Sequence, residues 1–150
     1  MSQPWYYQSL PVYSIEDLPN HENLHGFVYI IRDSVTNKIY VGKKVLHHAR
    51  KTKISQREKT LTKTRKTYKQ VVKESDWKDY YGSCKELLAD IKQYGPERFT
   101  RVILELCCSK KYLSYAELKW QIKLDVLLPG NYNGNILGRY YTRDMQNCYS

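Results

Sequence analysis

Residues 26–50 read GFVYIIRDSVTNKIYVGKKVLHHAR, and the fold turns on them. Two β-type runs, Phe27 to Arg32 and Lys38 to Gly42, flank the polar connection Asp33 to Asn37, so the stretch reads as a hairpin. Tyr29 lies in the first strand and Tyr40, eleven residues on, in the second. Gly42 ends the second strand, Lys43 and Lys44 follow, and Arg50 comes ten residues after Tyr40 on an expected helix. A hairpin that presents phenols and leads to a guanidinium is suited to holding a phosphodiester against a water.

Downstream, residues 43–73 are densely basic, with Glu58 the only acid. Lys44, Lys51, Lys53, Arg57, Lys63, Arg65, Lys66 and Lys69 are the candidate DNA contacts in this run. A solvated helix face or a mobile loop is the bland reading of such a run. Solubility alone favours mixed signs, however, and this excess is one-sided, which points to phosphate. Ser83 to Glu86 has a capping-box pattern, and Leu87, Leu88 and Ile91 give a helix that stops at Gly95-Pro96. Phe99 to Leu106 alternates as a third strand, with Leu106 on the side of Thr100, Val102 and Leu104. A second helix spans about Tyr112 to Leu127 and is buried through Leu113, Ala116, Trp120, Ile122 and Leu124. On it Glu117 and Gln121 share a face. Asn131 to Asn135 form a polar turn, and Ile136-Leu137 return to the core.

These elements predict an α+β domain over 26–140, a small three-stranded antiparallel sheet flanked by helices, with a basic insertion at about 51–76. Residues 1–25 contain Pro4, Pro11, Pro19, Trp5, Tyr6, Tyr7 and Tyr13 and read as an ordered arm on the domain. Residues 141–150 read as a basic, aromatic tail.

The whole chain has 150 residues and a net charge of +10, which favours a polyanionic partner, nucleic acid before a membrane surface. No apolar run approaches the length of a membrane span, and residues 1–11 lack a signal-peptide pattern. Cys84, Cys107, Cys108 and Cys148 show neither a zinc spacing nor a disulfide framework, so a reducing compartment, the cytoplasm, is expected.

The combination of Phe27-Val28-Tyr29 behind Gly26, Tyr40-Val41-Gly42, Arg50, Glu117 and Asn133 resembles the GIY-YIG nuclease superfamily. The runs WKDYYGSCKELLADIKQYG and CSKKYLSYAELKWQIKLDVLLPGNYN are most similar to the Seg-type phage homing endonucleases. The resemblance implies a Mg²⁺-dependent endonuclease acting on double-stranded DNA, with Mn²⁺ able to substitute. Glu117 would be the metal ligand, Arg50 the phosphate clamp, Tyr29 the activator of water, and Tyr40 the residue orienting water or phosphate. Asn133 would brace the site, and Gly42, Lys43 and His47 would support it.

The residues alone leave simpler roles open for each of these. Ser114 to Glu117 is itself a capping-box pattern, so Glu117 has the alternative of closing a helix N-terminus. Arg50 can be one more member of a basic run, and Gly42 a strand terminator. Tyrosines in a Tyr-rich chain mostly pack, Asn133 competes with Asn131 and Asn135, and His47 and His48 read as surface residues. For either phenol to act as a base, a nearby cation such as Lys43 or Lys44 must lower its pKa. No separate DNA-recognition domain follows, so the insertion, the arm or a partner would supply specificity. Cutting both strands would require a dimer on DNA or two successive binding events. A non-catalytic nucleic-acid-binding module with the same fold is the alternative function, and an accessory factor docking through the aromatic arm is a third.

Overall fold

The computed structural model describes residues 3–145; residues 146–150 of the tail, Cys148 among them, lie outside this range. Strands β1 (Trp5–Tyr7) and β2 (Leu10–Val12) open the chain, and β3 (Gly26–Asp33) and β4 (Ile39–Val45) form the hairpin read from residues 26–42. Then come β5 (His47–Lys53), α1 (Gln56–Thr62), β6 (Tyr68–Glu74), α2 (Lys85–Tyr94), β7 (Phe99–Cys107) and α3 (Lys110–Lys123). The short β8 (Asn135–Ile136), β9 (Tyr140–Tyr141) and α4 (Thr142–Met145) follow.

The class is α+β, but the main sheet is mixed and five-stranded, in the order β2-β1-β7-β3-β4, rather than three-stranded and antiparallel. The expected strands are its β7-β3-β4 part. The so-called arm supplies the other two: β1 pairs parallel with β7, Trp5 opposite Arg101, and β2 folds back on β1. Aromatic side chains explain the attachment. Trp5 is 1% exposed, its ring edge-on to Phe27 and Tyr29 at 4.9 and 5.3 Å, and its Nε1 donates to the Trp77 carbonyl at 2.8 Å.

Arg101 fastens the same joint. It is buried, it donates to the Lys78 and Tyr80 carbonyls at 2.9 Å each and to the Gln3 carbonyl, and its guanidinium lies 4.5 Å from the Trp5 ring and 4.1 Å from that of Tyr81. A cation out of water needs such a shell of acceptors and ring faces.

Strict alternation fails in β7, because Val28 pairs with Glu105 while Tyr29 pairs with Ile103, so Leu104 is an extra residue. Beyond this bulge Leu106 packs with Ile103 in the core that holds Trp5 and Trp77, not on the Val102 side. The bulge also swings Glu105 under α3, where it accepts from Trp120 Nε1 at 2.8 Å and Lys119 Nζ at 2.7 Å.

The opposite sheet face is covered by α3, with Leu113 and Ala116 against Val28, Val41 and Cys107. This helix begins earlier and ends earlier than its periodicity suggested: Ser109 Oγ accepts from the Tyr112 amide at 3.1 Å, and Lys123 is its last residue. Ile122, expected in the core, is 62% exposed. For α2 the N-cap is Cys84, one residue beyond the expected Ser83, with no side-chain cap bond.

The largest correction falls on residues 43–73. No helix follows the hairpin. Instead β5 and β6 pair antiparallel from His47–Glu74 to Lys53–Tyr68 as a separate two-stranded ribbon, with α1 at its far end. Threonines among the cations, with Tyr68, Val71 and Val72, carry β propensity that the charge run obscured. Arg50 therefore sits on a strand.

Candidate active site

Two glycines decide where the phenols lie. A Cβ built on Gly42 would stand 2.6 Å from the Tyr29 hydroxyl oxygen, so only glycine lets that hydroxyl pass against β4. Gly82, in the left-handed region at φ +86°, closes the other side: its Cβ would come within 3.0 Å of the Tyr40 ring and 3.2 Å of the Tyr29 hydroxyl. Gly42 thus makes room for Tyr29. Gly82 was not singled out in the sequence, although the run Tyr80-Tyr81-Gly82-Ser83 carries the signal of a turn between aromatics.

Tyr29 is 1% exposed, with its ring 6.2 Å from Tyr40 and 6.1 Å, edge-on, from Tyr80. Burial pushes its pKa well above the ordinary phenol value, and the Tyr40, Tyr80 and Glu117 groups push the same way. Tyr40 is half-buried and also raised, by burial first, with the Ser83 side chain opposing. The cation-driven lowering that a phenolate base requires is absent for both, because Lys43 and Lys44 are engaged elsewhere. Lys44 Nζ bonds Asp76 at 2.6 Å and lies 3.9 Å from the centre of the Tyr80 ring.

Glu117 projects from the middle of α3, well inside a helix whose N-cap is Ser109, so it does not close a helix end. Burial raises its pKa, opposed by the Lys43 charge and the Lys43 backbone. Lys43 Nζ stands 4.0 Å from Glu117 Oε1 and donates to Ser114 Oγ at 2.9 Å. The carboxylate and both phenols are close enough for each phenol to feel the glutamate charge.

Asn133 holds the strand that carries Tyr40 and Gly42. Its Oδ1 accepts from the Val41 amide at 2.9 Å, and its Nδ2 donates to the Val41 carbonyl at 3.0 Å. Gln121 Nε2 reaches the same carbonyl at 3.1 Å, Asn131 Oδ1 accepts from the Ile39 amide at 3.3 Å, and the Tyr132 amide donates to the Ile39 carbonyl at 2.9 Å. The free edge of β4 is thereby satisfied by the segment after α3. Gln121 is a second brace that the i, i+4 relation to Glu117 already hinted at.

Tyr40, Ser83, Cys84, Glu117, Gln121, Tyr132 and Asn133 line a polar cleft of about 360 Å³ completed by residues 134–138. Among the described residues no three His, Cys, Asp or Glu side chains gather as a metal cage. The donor set, one half-buried carboxylate with neutral oxygens around it, matches Mg²⁺, which takes one or two protein carboxylates and fills its shell with water and phosphate.

The structure thus gathers Tyr29, Tyr40, Gly42, Lys43, Glu117 and Asn133. It does not bring Arg50 or His47 to them. Arg50 is exposed on β5 and makes no side-chain hydrogen bond or ion pair among the described residues. His47 lines a different cavity, with Ile15, Glu16, His21, Glu22, Glu74 and Lys78. Lys51, Lys53, Arg57, Lys63, Arg65 and Lys66 are exposed on the ribbon and its tip, and Lys69 pairs with Glu58.

Among known proteins, one family model matches, described as "Putative endonuclease segE, GIY-YIG domain", over residues 5–144. No curated protein and no solved structure matches the chain. Among the described residues no helix is long and apolar enough to cross a membrane.

Proposed function

Because the chain belongs to the SegE-type GIY-YIG endonuclease family, we propose that it is a Mg²⁺-dependent endonuclease that hydrolyses phosphodiester bonds of double-stranded DNA. The observation that carries this is that Glu117 and Tyr40 line one cleft while the Tyr29 hydroxyl is packed behind Tyr40 against Gly42. Glu117 is the residue to hold the metal, since its carboxylate is set in a poorly solvated place with only Lys43 as a distant counter-charge. Mg²⁺, or Mn²⁺ in its place, supplies charge neutralisation at the phosphate and help for the leaving oxygen.

The chain's own residues do the rest. Tyr29 and Tyr40, held neutral by burial, orient the attacking water and a phosphate oxygen through their hydroxyls. Lys43 adds positive charge at the cleft edge, and Asn133 fixes the strand on which Tyr40 stands. Arg50 meets the bound duplex from the ribbon and neutralises a backbone phosphate there. The Seg-type resemblance extends the reading to a homing-type nuclease of a phage or mobile element. With one cleft per chain, cutting both strands takes two copies or two binding events.

Plasmid digestion with and without Mg²⁺, comparing wild type with Glu117→Ala, tests the reading. Nicked or linear product from wild type with Mg²⁺ alone supports it; equal product from both proteins overturns it. The place of Arg50 outside the cleft favours one second reading, a nucleic-acid-binding module that retains the fold. Salt-sensitive binding with no cleavage of duplex, branched or single-stranded DNA would establish that instead.

A further inference from the structure

The ribbon carries most of the molecule's charge. Residues 47–74 hold ten Lys or Arg against Glu58 and Glu74, a balance of +8 out of +10 for the chain. It also stands apart. All seven residues of β6 are exposed, including Val71 and Val72 at 41% and 64%. A lone two-stranded hairpin is marginal in water, and exposed valines at its centre add to that. Such a ribbon, about 23 Å long at roughly 3.3 Å per residue, has the dimensions of an element that fits the major groove of B-form DNA, about 12 Å wide.

Register separates the two faces. Paired residues share a face, so His48 with Lys73, Arg50 with Val71 and Thr52 with Lys69 form one, and His47–Glu74, Ala49–Val72, Lys51–Gln70 and Lys53–Tyr68 form the other. The second face begins at the cavity where His47 and Glu74 meet Glu16 and Glu22, carboxylates that repel a phosphate backbone. The first carries three cations, Arg50, Lys69 and Lys73, and no carboxylate. At the base of the ribbon Asp76 binds Lys44 at 2.6 Å, Lys44 lies over Tyr80, and Tyr80 lies edge-on to Tyr29.

We propose that the Arg50–Val71 face of the ribbon lies in the major groove of the duplex and selects its sequence. Arg50 and Lys73 meet the phosphates along the groove walls, and Val71 and Thr52 contact base edges, thymine methyl groups among them. Lys69 is held by Glu58 of α1, so it positions the ribbon tip. This rests on the DNA-cleaving reading for its substrate but not for its assay. A-form RNA, whose major groove is too narrow for side chains, is not a ligand of this face.

The test uses the full chain in Ca²⁺ and a random-sequence duplex library selected for binding, followed by methylation interference on the enriched site. Methylation of guanine N7, in the major groove, is expected to weaken binding about tenfold or more, while methylation of adenine N3, in the minor groove, leaves it unchanged. Thr52→Ala/Val71→Ala, one half-buried and one exposed, is expected to lower the preference for the enriched site about tenfold while binding to unrelated duplex stays within about twofold. The Lys51→Ala/Lys53→Ala pair on the other face is expected to leave the preference for the enriched site unchanged. No enriched sequence, no N7 effect, or a uniform loss in the Thr52/Val71 variant would overturn the proposal. The plasmid assay separates the two readings. Cleavage without N7 interference sinks the groove assignment alone, and N7 interference without cleavage sinks the nuclease alone.

Discussion

At Glu117 the proposed metal-binding role and the stability of the fold oppose each other. Its folded pKa lies above the ordinary 4.5, chiefly through burial. Stability therefore falls as pH rises from about that value through the raised one, and is flat beyond. Glu117→Gln keeps the shape and removes the charge. We expect its melting temperature at pH 7 to equal or exceed that of wild type, the gap closing below pH 4.5, while cleavage drops about 10²–10³-fold. Thermal scans at both pH values with parallel plasmid digestion check this. Cleavage by wild type should rise with pH through the same window, because a metal needs the ionised carboxylate. Tyr29 sets a matching expectation. With its hydroxyl neutral throughout the working range, Tyr29→Phe should lower cleavage about 10²-fold or more without moving any inflection of the pH–rate profile below pH 9. A profile whose alkaline limb disappears in the variant would show an ionising phenol instead.

Among the elements, β4 is the one on which the site depends, and it is an edge strand. Asn133→Ala strips the Val41 amide of its acceptor, and the loss should be about 1–3 kcal/mol in chemical denaturation. Hydrogen exchange at Val41 should accelerate well before exchange at Val28 in the strand alongside. This edge was only partly legible in the sequence: the asparagine could be picked out, but its partner lies 92 residues away. The hairpin, α2, β7 and α3 were readable because period and punctuation are local. Strands β1 and β2 were not, since three residues give no period and the parallel pairing with β7 is long-range. The ribbon was hidden for another reason. Cations dominate its composition, and residues 47–53 offer no apolar alternation to set against the expected helix. The alternation put Leu106 on the wrong face because a bulge leaves no mark on an alternating pattern.

Over the whole molecule, charge and folding are divided between two bodies of chain. The sheet and its helices carry little net charge and the ribbon nearly all of it. DNA affinity should therefore fall steeply with salt, log K against log salt having a slope of about −0.9 per phosphate neutralised. Replacing Lys63, Arg65 and Lys66 by Gln should flatten that slope by roughly two to three units, with the melting temperature unchanged; binding titrations from about 50 to about 200 mM salt measure it. Arg101 gives the opposite pattern. Arg101→Leu leaves the Gln3, Lys78 and Tyr80 carbonyls without their donor and should destabilise by about 1–3 kcal/mol for each carbonyl that water cannot reach, read in denaturant, with no effect on salt dependence. The pairing of β1 with β7 also sets a timetable. A ribosome releases Trp5 long before it has made Arg101, the residue opposite it. Through most of synthesis the opening strand has only β2 beside it, and the five-stranded sheet cannot close until the chain has been made as far as Cys107.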